Sequence, residues 1–288
     1  MTADNQPEQH QIDHWLKMAQ KNIDFEFMDI NSNFKRSEEN DLSVQSLYTS
    51  LASAYARLGR AQFLNGEPRQ VFRASFVQAV RYIIKSFRMA YDKNDPDYVG
   101  DKEPPNDETE YGYVDWTQVD ENIFRAGINW ALMGVDFDIA RELAGLFRNA
   151  PDGGIESRII NRYAHALKFA VMGAKDPAKA LLTKTLNEMR GKKPRAAYKI
   201  NFLTLSHTLY GIITADETLF NQGLDAHLSF YQSHAKGEAK DTSEEFICDD
   251  AVALANLAIG YKIKVTVEHY TLPKGMLMQP EDPDSWFA

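Results

Sequence analysis

Two histidines, one cysteine and several paired carboxylates are the residues of this chain that could do chemistry. His10 and His14 stand four positions apart, a spacing that places two metal ligands on one face of a helix, but no third ligand lies near them in the sequence. Cys248 precedes Asp249 and Asp250, whose charges would raise the pKa of a thiol, whereas a reactive cysteine needs a lowered one. The sequence therefore predicts no metal site and no cysteine nucleophile.

The paired carboxylates also favour a structural interpretation. Catalysis by a general acid needs one buried carboxyl group with a shifted pKa. The pairs Glu244–Glu245 and Asp249–Asp250 lie within a charged run, so we expect them on a solvated helix surface. The chain has no glycine-rich phosphate loop after a strand and no Gly-x-Ser-x-Gly turn. These patterns predict that the chain is not an enzyme and uses no cofactor. The helical histidines are predicted to be hydrogen-bonded or partly exposed residues: His165, His207 and His227.

The excess negative charge is confined to one segment. The net charge is −9, and residues 92–121 hold eleven acidic and two basic residues, which accounts for all of it. A basic surface is needed to bind phosphates, so direct binding to nucleic acid is not expected. Tyrosines lie among the acidic residues, and this mixture fits either a docking surface for a basic protein or a solvated connector. The predicted partner-binding residues are Asp97, Tyr98, Asp101, Glu103, Asp107, Glu108, Glu110, Tyr111 and Tyr113, with Glu244, Glu245, Asp249 and Asp250 as a second patch.

Cysteine content and hydropathy bear on the compartment. A single cysteine cannot form a disulfide within the chain, which fits a reducing compartment. The first residues lack the basic start and apolar stretch of a secretory signal. No run approaches the roughly 18 apolar residues that are needed to span a bilayer. We therefore expect a cytoplasmic protein without a membrane partner.

Apolar residues recur at intervals of three and four along most of the chain, which is helical periodicity. In one such helix the apolar stripe leaves Arg60 off the buried face, and in the next it includes Val71. Helices of about 116–133, 136–149, 155–172, 176–190, 196–214 and 216–235 follow. Breaks at Gly66, Gly134, Gly173 and Ala215 predict hairpins, since glycine suits the left-handed residue that ends a helix. Three aspartates are placed to cap the helices that follow these breaks: Asp136, Asp176 and Asp216.

The predicted fold is a single all-α domain, residues 1–288, of stacked helical hairpins that resemble an α-solenoid of TPR-like pairs. A first helix is expected at about 8–30 and a last one from about Ser243 to Tyr261, followed by a short extended segment at 263–268. Flexible tails are expected at about 1–7 and 279–288, and a long acidic loop at about 92–115. The residues expected in the core are Leu51, Phe76, Ile84, Trp130, Leu143, Leu167, Leu205 and Leu254.

Parts of the second half resemble the immunity protein 49 family of bacterial polymorphic-toxin systems. The resemblance lies in residues 216–221 (DETLFN), in 224–227 (LDAH) with Tyr231, and in 250–258 (DAVALANLA). It continues through 265–268 (VTVE), Tyr270, Leu272, Pro273 and Leu277. It is sharpest in the C-terminal helix and the extended segment that ends in Leu272 and Pro273. A weaker likeness covers residues 76–89 and 126–130. The whole resemblance spans roughly residues 45–278, mostly as a pattern of helices. The acidic stretch at 92–115 and the charged region at 236–250 depart from the family's pattern.

The resemblance implies an immunity protein that binds and neutralises a cognate toxin by forming a stoichiometric complex. The family has no catalytic residues to transfer to this chain. An acidic protein suits a basic toxin domain, such as a nuclease, as its partner. The alternative is a helical-repeat adaptor or scaffold that binds another protein or a peptide. A gene directly downstream of a large toxin gene would favour the first of these two functions.

Overall fold

The computed structural model describes residues 6–31, 44–100, 114–148, 157–235, 237, 239–280 and 282. In these ranges the chain forms ten α-helices and three short 3-10 helices and contains no β-strand, so the all-α prediction is confirmed. The α-helices are α1 (Gln9–Asn31), α2 (Val44–Leu64), α3 (Arg69–Tyr91), α4 (Glu121–Met133), α5 (Phe137–Leu146), α6 (Arg158–Val171), α7 (Lys175–Met189), α8 (Ala197–Ile213), α9 (Glu217–Ala235) and α10 (Asp249–Gly260). The 3-10 helices are Trp116–Gln118, Ser243–Glu245 and Lys274–Met276.

The α-helices pack as stacked hairpins, as the sequence predicts. The pairs α2–α3, α4–α5, α6–α7 and α8–α9 are each in contact along the chain. The first helices of successive hairpins also touch, α4 against α6 and α6 against α8, while α1 covers the outer side of α2. One connected core of buried apolar residues extends from Ala52 to Met278. All eight residues that were predicted to be buried are at most 8% exposed.

Two of the hairpin turns follow the glycine rule. Gly66 and Gly173 adopt left-handed backbone angles, with φ of 76° and 74°. Ala215 has a φ of 54° in the corresponding turn, although its side chain disfavours that region. The turn after α4 differs from the prediction, because Gly134 is helical and Val135 takes the left-handed position with a φ of 54°.

Gly134 serves close helix packing instead of the left-handed turn. A Cβ atom at this position would lie 2.9 Å from Cγ2 of Val77 on α3, closer than two carbon atoms can pack without moving one of them. The predicted left-handed role of Gly134 is therefore wrong, and a neighbouring helix, not the backbone angle, favours glycine here.

Two of the three predicted aspartate caps are present. The side chains of Asp136 and Asp216 accept hydrogen bonds from the backbone N–H groups three residues further on, at 3.0 and 2.9 Å. The predicted cap at Asp176 is wrong, because α7 already begins at Lys175. Asp176 lies in the first turn, where its charge faces the positive end of the helix dipole.

The last helix is shorter and more buried than expected. It begins at Asp249, because a separate 3-10 turn occupies Ser243–Glu245 and Cys248 has extended backbone angles. The backbone N–H of Cys248 donates to the carbonyl of Thr271 at 2.9 Å, which ties this non-helical residue in place. Residues 251–258 are buried on every side, and α10 contacts α4, α8 and α9. A helix that is apolar all round is typical of a fold's interior.

Two side chains depart from the predicted helix faces. Val71, which was placed on the apolar face of α3, is 39% exposed. Arg60, which was placed on the polar side of α2, is only 3% exposed. Arg60 is buried because the region before α10 covers that side of α2, a contact between residues far apart in the sequence.

Candidate functional site

The stretch 101–113 of the acidic segment is flanked by two anchored points. Before it, Val99 is buried, and its backbone N–H donates to the carbonyl of Met89 at 2.8 Å. After it, Val114 is buried in the same core. A Cβ atom at Gly100 would lie 2.2 Å from the carbonyl oxygen of Ala90, so only glycine fits at the exit. The ends of the acidic segment therefore have defined positions at the C-terminal end of α3.

A buried glutamine holds the second anchor. Gln45 on α2 is 1% exposed, and its Oε1 accepts from the backbone N–H of Asp115 at 2.7 Å. Its Nε2 donates to the carbonyl of Ser86 at 3.0 Å, so one amide joins α2, α3 and the end of the acidic segment. A buried amide with both groups bonded is a specific contact, because an unpaired one would be costly.

Asp97 and Tyr98 are the predicted partner-binding residues that the structure describes at the start of this segment. Lys85 binds Asp95 at 2.6 Å and Asp97 at 2.7 Å. Burial lowers the pKa of Lys85, but its hydrogen bonds to these two carboxylates outweigh burial and raise it overall. The side chain of Asp97 remains 49% exposed. Tyr98 is half-buried, with the ammonium of Lys93 6.0 Å from the centre of its ring.

Part of the segment's charge serves the fold and is not available to a partner. Glu121 is fully buried, and its Oε1 accepts from Asn161 at 3.1 Å. Asp120 is 9% exposed and caps α4. Trp116, at the far end of the segment, is 48% exposed and packs against Tyr91 at 5.9 Å between ring centres. The other predicted residues lie outside the described part of the chain: Asp101, Glu103, Asp107, Glu108, Glu110, Tyr111 and Tyr113.

The second predicted patch divides into a surface half and an interior half. Glu244 has 48% of its side chain exposed, and Glu245 is partly exposed and accepts from the backbone N–H of Asp241 at 2.9 Å. Asp249 and Asp250 are only 22% and 14% exposed. The prediction that these two aspartates lie on a solvated helix surface is therefore wrong. They stand at the first turn of the buried helix α10, where their charges must be met inside the fold.

Each of the two aspartates is paired with an arginine from a distant helix. Arg60 on α2 contacts Asp249 at 2.6 Å and reaches Glu244 with its other terminal nitrogen, also at 2.6 Å. Arg125 on α4 contacts Asp250 at 2.6 Å. We call these five residues the arginine–aspartate cluster. Burying a carboxylate is costly unless a counter-charge and hydrogen bonds meet it, and the cluster supplies both.

The two carboxylates differ in their acidity. Burial raises the pKa of Asp249 to about 6, and the attraction of Arg60 only partly counteracts it. Burial acts on Asp250 in the same sense, but Arg125, with a hydrogen bond from Asn129 at 2.7 Å, lowers its pKa below the ordinary value. The cluster joins α2, α4 and α10, so its first role is structural.

A cysteine–histidine contact lies beneath this cluster, and sequence reasoning missed it. Sγ of Cys248 is 3.5 Å from Nε2 of His227, whose Nδ1 is 3.2 Å from the hydroxyl of Thr204. Cys248 and His227 have no exposed surface. Burial lowers the pKa of His227 to about 4 and raises that of Cys248, so both are neutral near pH 7. A catalytic pair needs an ionised thiol within reach of a substrate, so this pair has the wrong charge state and no access.

Metal-binding clusters and membrane-spanning helices were both predicted to be absent. His10 lies 3.1 Å from Glu8 on the exposed face of α1. In the described ranges, no group of three or more His, Cys, Asp or Glu side chains is arranged to hold a metal ion. No helix in the part of the chain that the structure describes is long and apolar enough to cross a bilayer.

Comparison with known proteins returns no relative. No family model matches the chain, and neither a curated protein nor a solved structure matches it.

Proposed function

We propose that this chain is an immunity protein that binds and neutralises a cognate bacterial toxin by forming a stoichiometric complex. The observation that carries the proposal is the acidic, aromatic segment with two anchored ends. Val99 and Val114 are buried in the core, and the sequence between them, residues 101–113, carries a charge of −4 from five acidic residues and one lysine. Residue patterns that resemble immunity protein 49 support the same function.

The anchored segment suits recognition of a basic protein. Exposed Asp97 and exposed Trp116 lie on either side of residues 101–113, so the described parts of the segment present charge at one end and a large aromatic surface at the other. Charge of one sign on one face speeds association with an oppositely charged partner by about 10- to 1000-fold at low salt. Aromatic side chains contribute more to the lifetime of such complexes. A basic toxin domain, such as a nuclease, is the partner that this arrangement fits.

We expect that replacing Asp101, Glu103, Asp107, Glu108 and Glu110 together by Asn or Gln slows association with the toxin by about tenfold or more at low salt. A large toxin gene directly upstream of this one would identify the toxin, and association is measured by surface plasmon resonance over a range of salt concentrations. The salt dependence should become flatter, because screening acts on the charges that were removed. Asp97 is left intact because it binds Lys85.

A matched variant separates local from total charge. Five exposed acidic residues outside residues 92–121 are neutralised instead: Glu8, Asp13, Asp24, Asp138 and Asp225. Both variants change the net charge by the same amount, so the control should keep most of the parent's association rate. Equal rates for the two variants would show that residues 101–113 are a solvated connector.

A helical-repeat adaptor is the second candidate function. It is favoured by the C-terminal groove described next, which has the shape and backbone groups to hold a peptide. An adaptor would bind its partner without affecting the viability of cells that produce a toxin. Co-expression with a toxin gene that lies beside this one would distinguish the two functions, because only an immunity protein restores growth.

A further inference from the structure

The extended segment after α10 has one edge that is already paired. Nδ2 of Asn221 on α9 donates to the carbonyl of Lys264 at 3.0 Å, and its Oδ1 accepts from the backbone N–H of Thr266 at 2.8 Å. Glu217 accepts from the backbone N–H of Lys264 at 3.3 Å. One side-chain amide thus bonds the carbonyl of one residue and the N–H two residues later, as a neighbouring strand does in a parallel sheet. Residues 264–266 therefore run as a β-strand runs.

The opposite edge of the same segment is open. Ile263, Val265 and Val267 turn their side chains inward, while Lys264 and Thr266 are exposed, which is the alternation of a strand. In an extended chain the backbone groups of 265 and 267 point away from those of 264 and 266. Among the residues that the structure describes, the N–H and C=O groups of Val265 and Val267 form no hydrogen bond.

A groove of about 880 Å³ lies along this segment. Its walls are residues 262–268 on one side and the returning chain at 272–280 on the other. Ile259, Leu272 and Leu277 give it an apolar lining. The returning chain is held in place by Asn256 on α10, whose amide bonds the backbone of Met276 and of Met278 at 3.2 and 2.7 Å. The groove is therefore a defined feature of the fold.

The charge at the mouth of the groove is positive. Lys262, Lys264 and Lys274 line it with one acidic residue, Glu268. Glu268 is already paired with Lys274. The side chain of Lys264 has no acidic partner within the described ranges. A ligand with carboxylates next to Lys264 would complement this charge, and cross-strand pairs of opposite charge stabilise a strand pairing.

We propose that the groove binds an extended acidic peptide of another protein, which adds as a strand to the open edge at Val265 and Val267. Main-chain hydrogen bonds to the open edge would provide affinity. Apolar side chains at alternate positions of the peptide would enter the groove, and acidic ones between them would lie beside Lys264. This site takes such a peptide whether or not the chain neutralises a toxin, because it shares no residue with the acidic segment.

The probe for this site is a fluorescein-labelled peptide of nine alternating glutamate and valine residues, titrated by fluorescence anisotropy. We expect saturable binding to the parent chain. Val265→Pro should weaken binding about tenfold, since proline lacks the N–H that would donate to the peptide. This N–H forms no bond within the described fold, so the substitution breaks no existing hydrogen bond. Val265→Ala keeps the N–H and controls for the lost side chain, so it should weaken binding less. Lys264→Glu should weaken binding, whereas Lys179→Glu, at an exposed position on α7, should not.

Amide hydrogen exchange gives a readout specific to strand addition. The peptide should protect the N–H groups of Val265 and Val267 and leave that of Thr266 unchanged, because Asn221 already bonds it. The same peptide with N-methyl groups on alternate residues should bind weakly. Circular dichroism and thermal unfolding show that each variant is folded.

Several results would overturn the proposal. These are no saturable binding up to about 1 mM peptide, or binding that neither Val265→Pro nor N-methylation affects. A lysine–valine peptide that binds as well as the glutamate–valine peptide would also contradict it. If deleting residues 283–288 removed protection of the Val265 amide in the free protein, the occupant would be the chain's own C-terminus. If Val265→Pro dissociated a dimer of the parent, the occupant would be a second copy.

Discussion

Replacing Arg60 by methionine is expected to lower the free energy of unfolding by about 3–5 kcal/mol, the usual result of removing one partner of a buried ion pair. Arg60 is 3% exposed and meets two carboxylates, those of Asp249 and Glu244. Methionine fills much of the same volume, so the loss reports the missing charge and not a cavity. Urea unfolding at pH 7.5, followed by circular dichroism, measures the change.

The matched control is Arg57→Met, because Arg57 lies one turn earlier on α2 and is exposed. It should change stability by less than about 0.5 kcal/mol, as most surface substitutions do. An equal loss in the two variants would mean that Arg60 contributes nothing specific to the cluster. The double variant Arg60→Met with Asp249→Asn should recover part of the stability, since no buried charge would then be left unpaired.

The stability lost in the single variant Arg60→Met should depend on pH. The folded-state pKa of Asp249 is about 6 and its ordinary value is 3.8, so the folded state favours the protonated carboxyl. The stability that protonation of Asp249 contributes is fully present below the unfolded-state pKa and is lost as the pH rises through the folded-state pKa. Loss of Arg60 raises that pKa further, so the defect should be smaller at pH 5 than at pH 7.5.

The second large effect is expected at Asn256, in the middle of the buried helix α10. Its Nδ2 donates to the carbonyls of Leu132 and Met276 at 2.9 and 3.2 Å, and its Oδ1 accepts from the backbone N–H of Met278 at 2.7 Å. Asn256→Ala leaves the groups of Met276 and Met278 without these bonds and opens a cavity. A loss of about 3–5 kcal/mol is expected from the unpaired buried groups and the cavity together.

Asn187→Ala is the control, since Asn187 is an exposed helical asparagine near the end of α7. It should be close to neutral in the same urea unfolding measurement. Limited proteolysis provides a local readout, because residues 272–280 depend on Asn256 and should be cleaved sooner in the variant. A stability equal to that of the parent would show that the amide does not hold the C-terminal chain against α10.

Periodicity and helix-ending signals were sufficient to predict the helical hairpins. Leu51 and Leu205 are buried as predicted, because three- and four-residue spacing reports the face that one helix turns to its neighbour. Gly66 and Gly173 were recognisable because a left-handed residue is a local requirement. Each of these features depends on a few adjacent residues.

The arginine–aspartate cluster could not be predicted in this way. A charged run such as 244–250 indicates exposure when it is considered by itself. Its burial depends on Arg60 and Arg125, which are 189 and 125 residues from their aspartates. The contact of Cys248 with His227 also needs tertiary structure, although the inert thiol could be inferred from its acidic neighbours. The predicted direction agrees with the structure, since burial and then Asp250 raise the pKa of the thiol.

The acidic segment and the C-terminal groove were also only partly predictable from the sequence. Composition located the acidic segment, but the structure shows that Asp95, Asp120 and Glu121 within it are buried in the fold. The open strand edge at Val265 and Val267 was visible only as a short extended segment. Its pairing with Asn221, more than 40 residues earlier in the chain, and the groove that it forms with residues 272–280 depend on tertiary structure.

A titration of toxin activity tests most directly whether the chain neutralises a toxin by binding it. A toxin that this chain binds is held at a concentration well above the dissociation constant, and its activity is followed as the chain is added. A stoichiometric inhibitor predicts a linear fall in activity that ends at a fixed molar ratio, and a complex of that composition on gel filtration. Complete loss of activity at a small fraction of that ratio, with modified toxin and no complex, would contradict it.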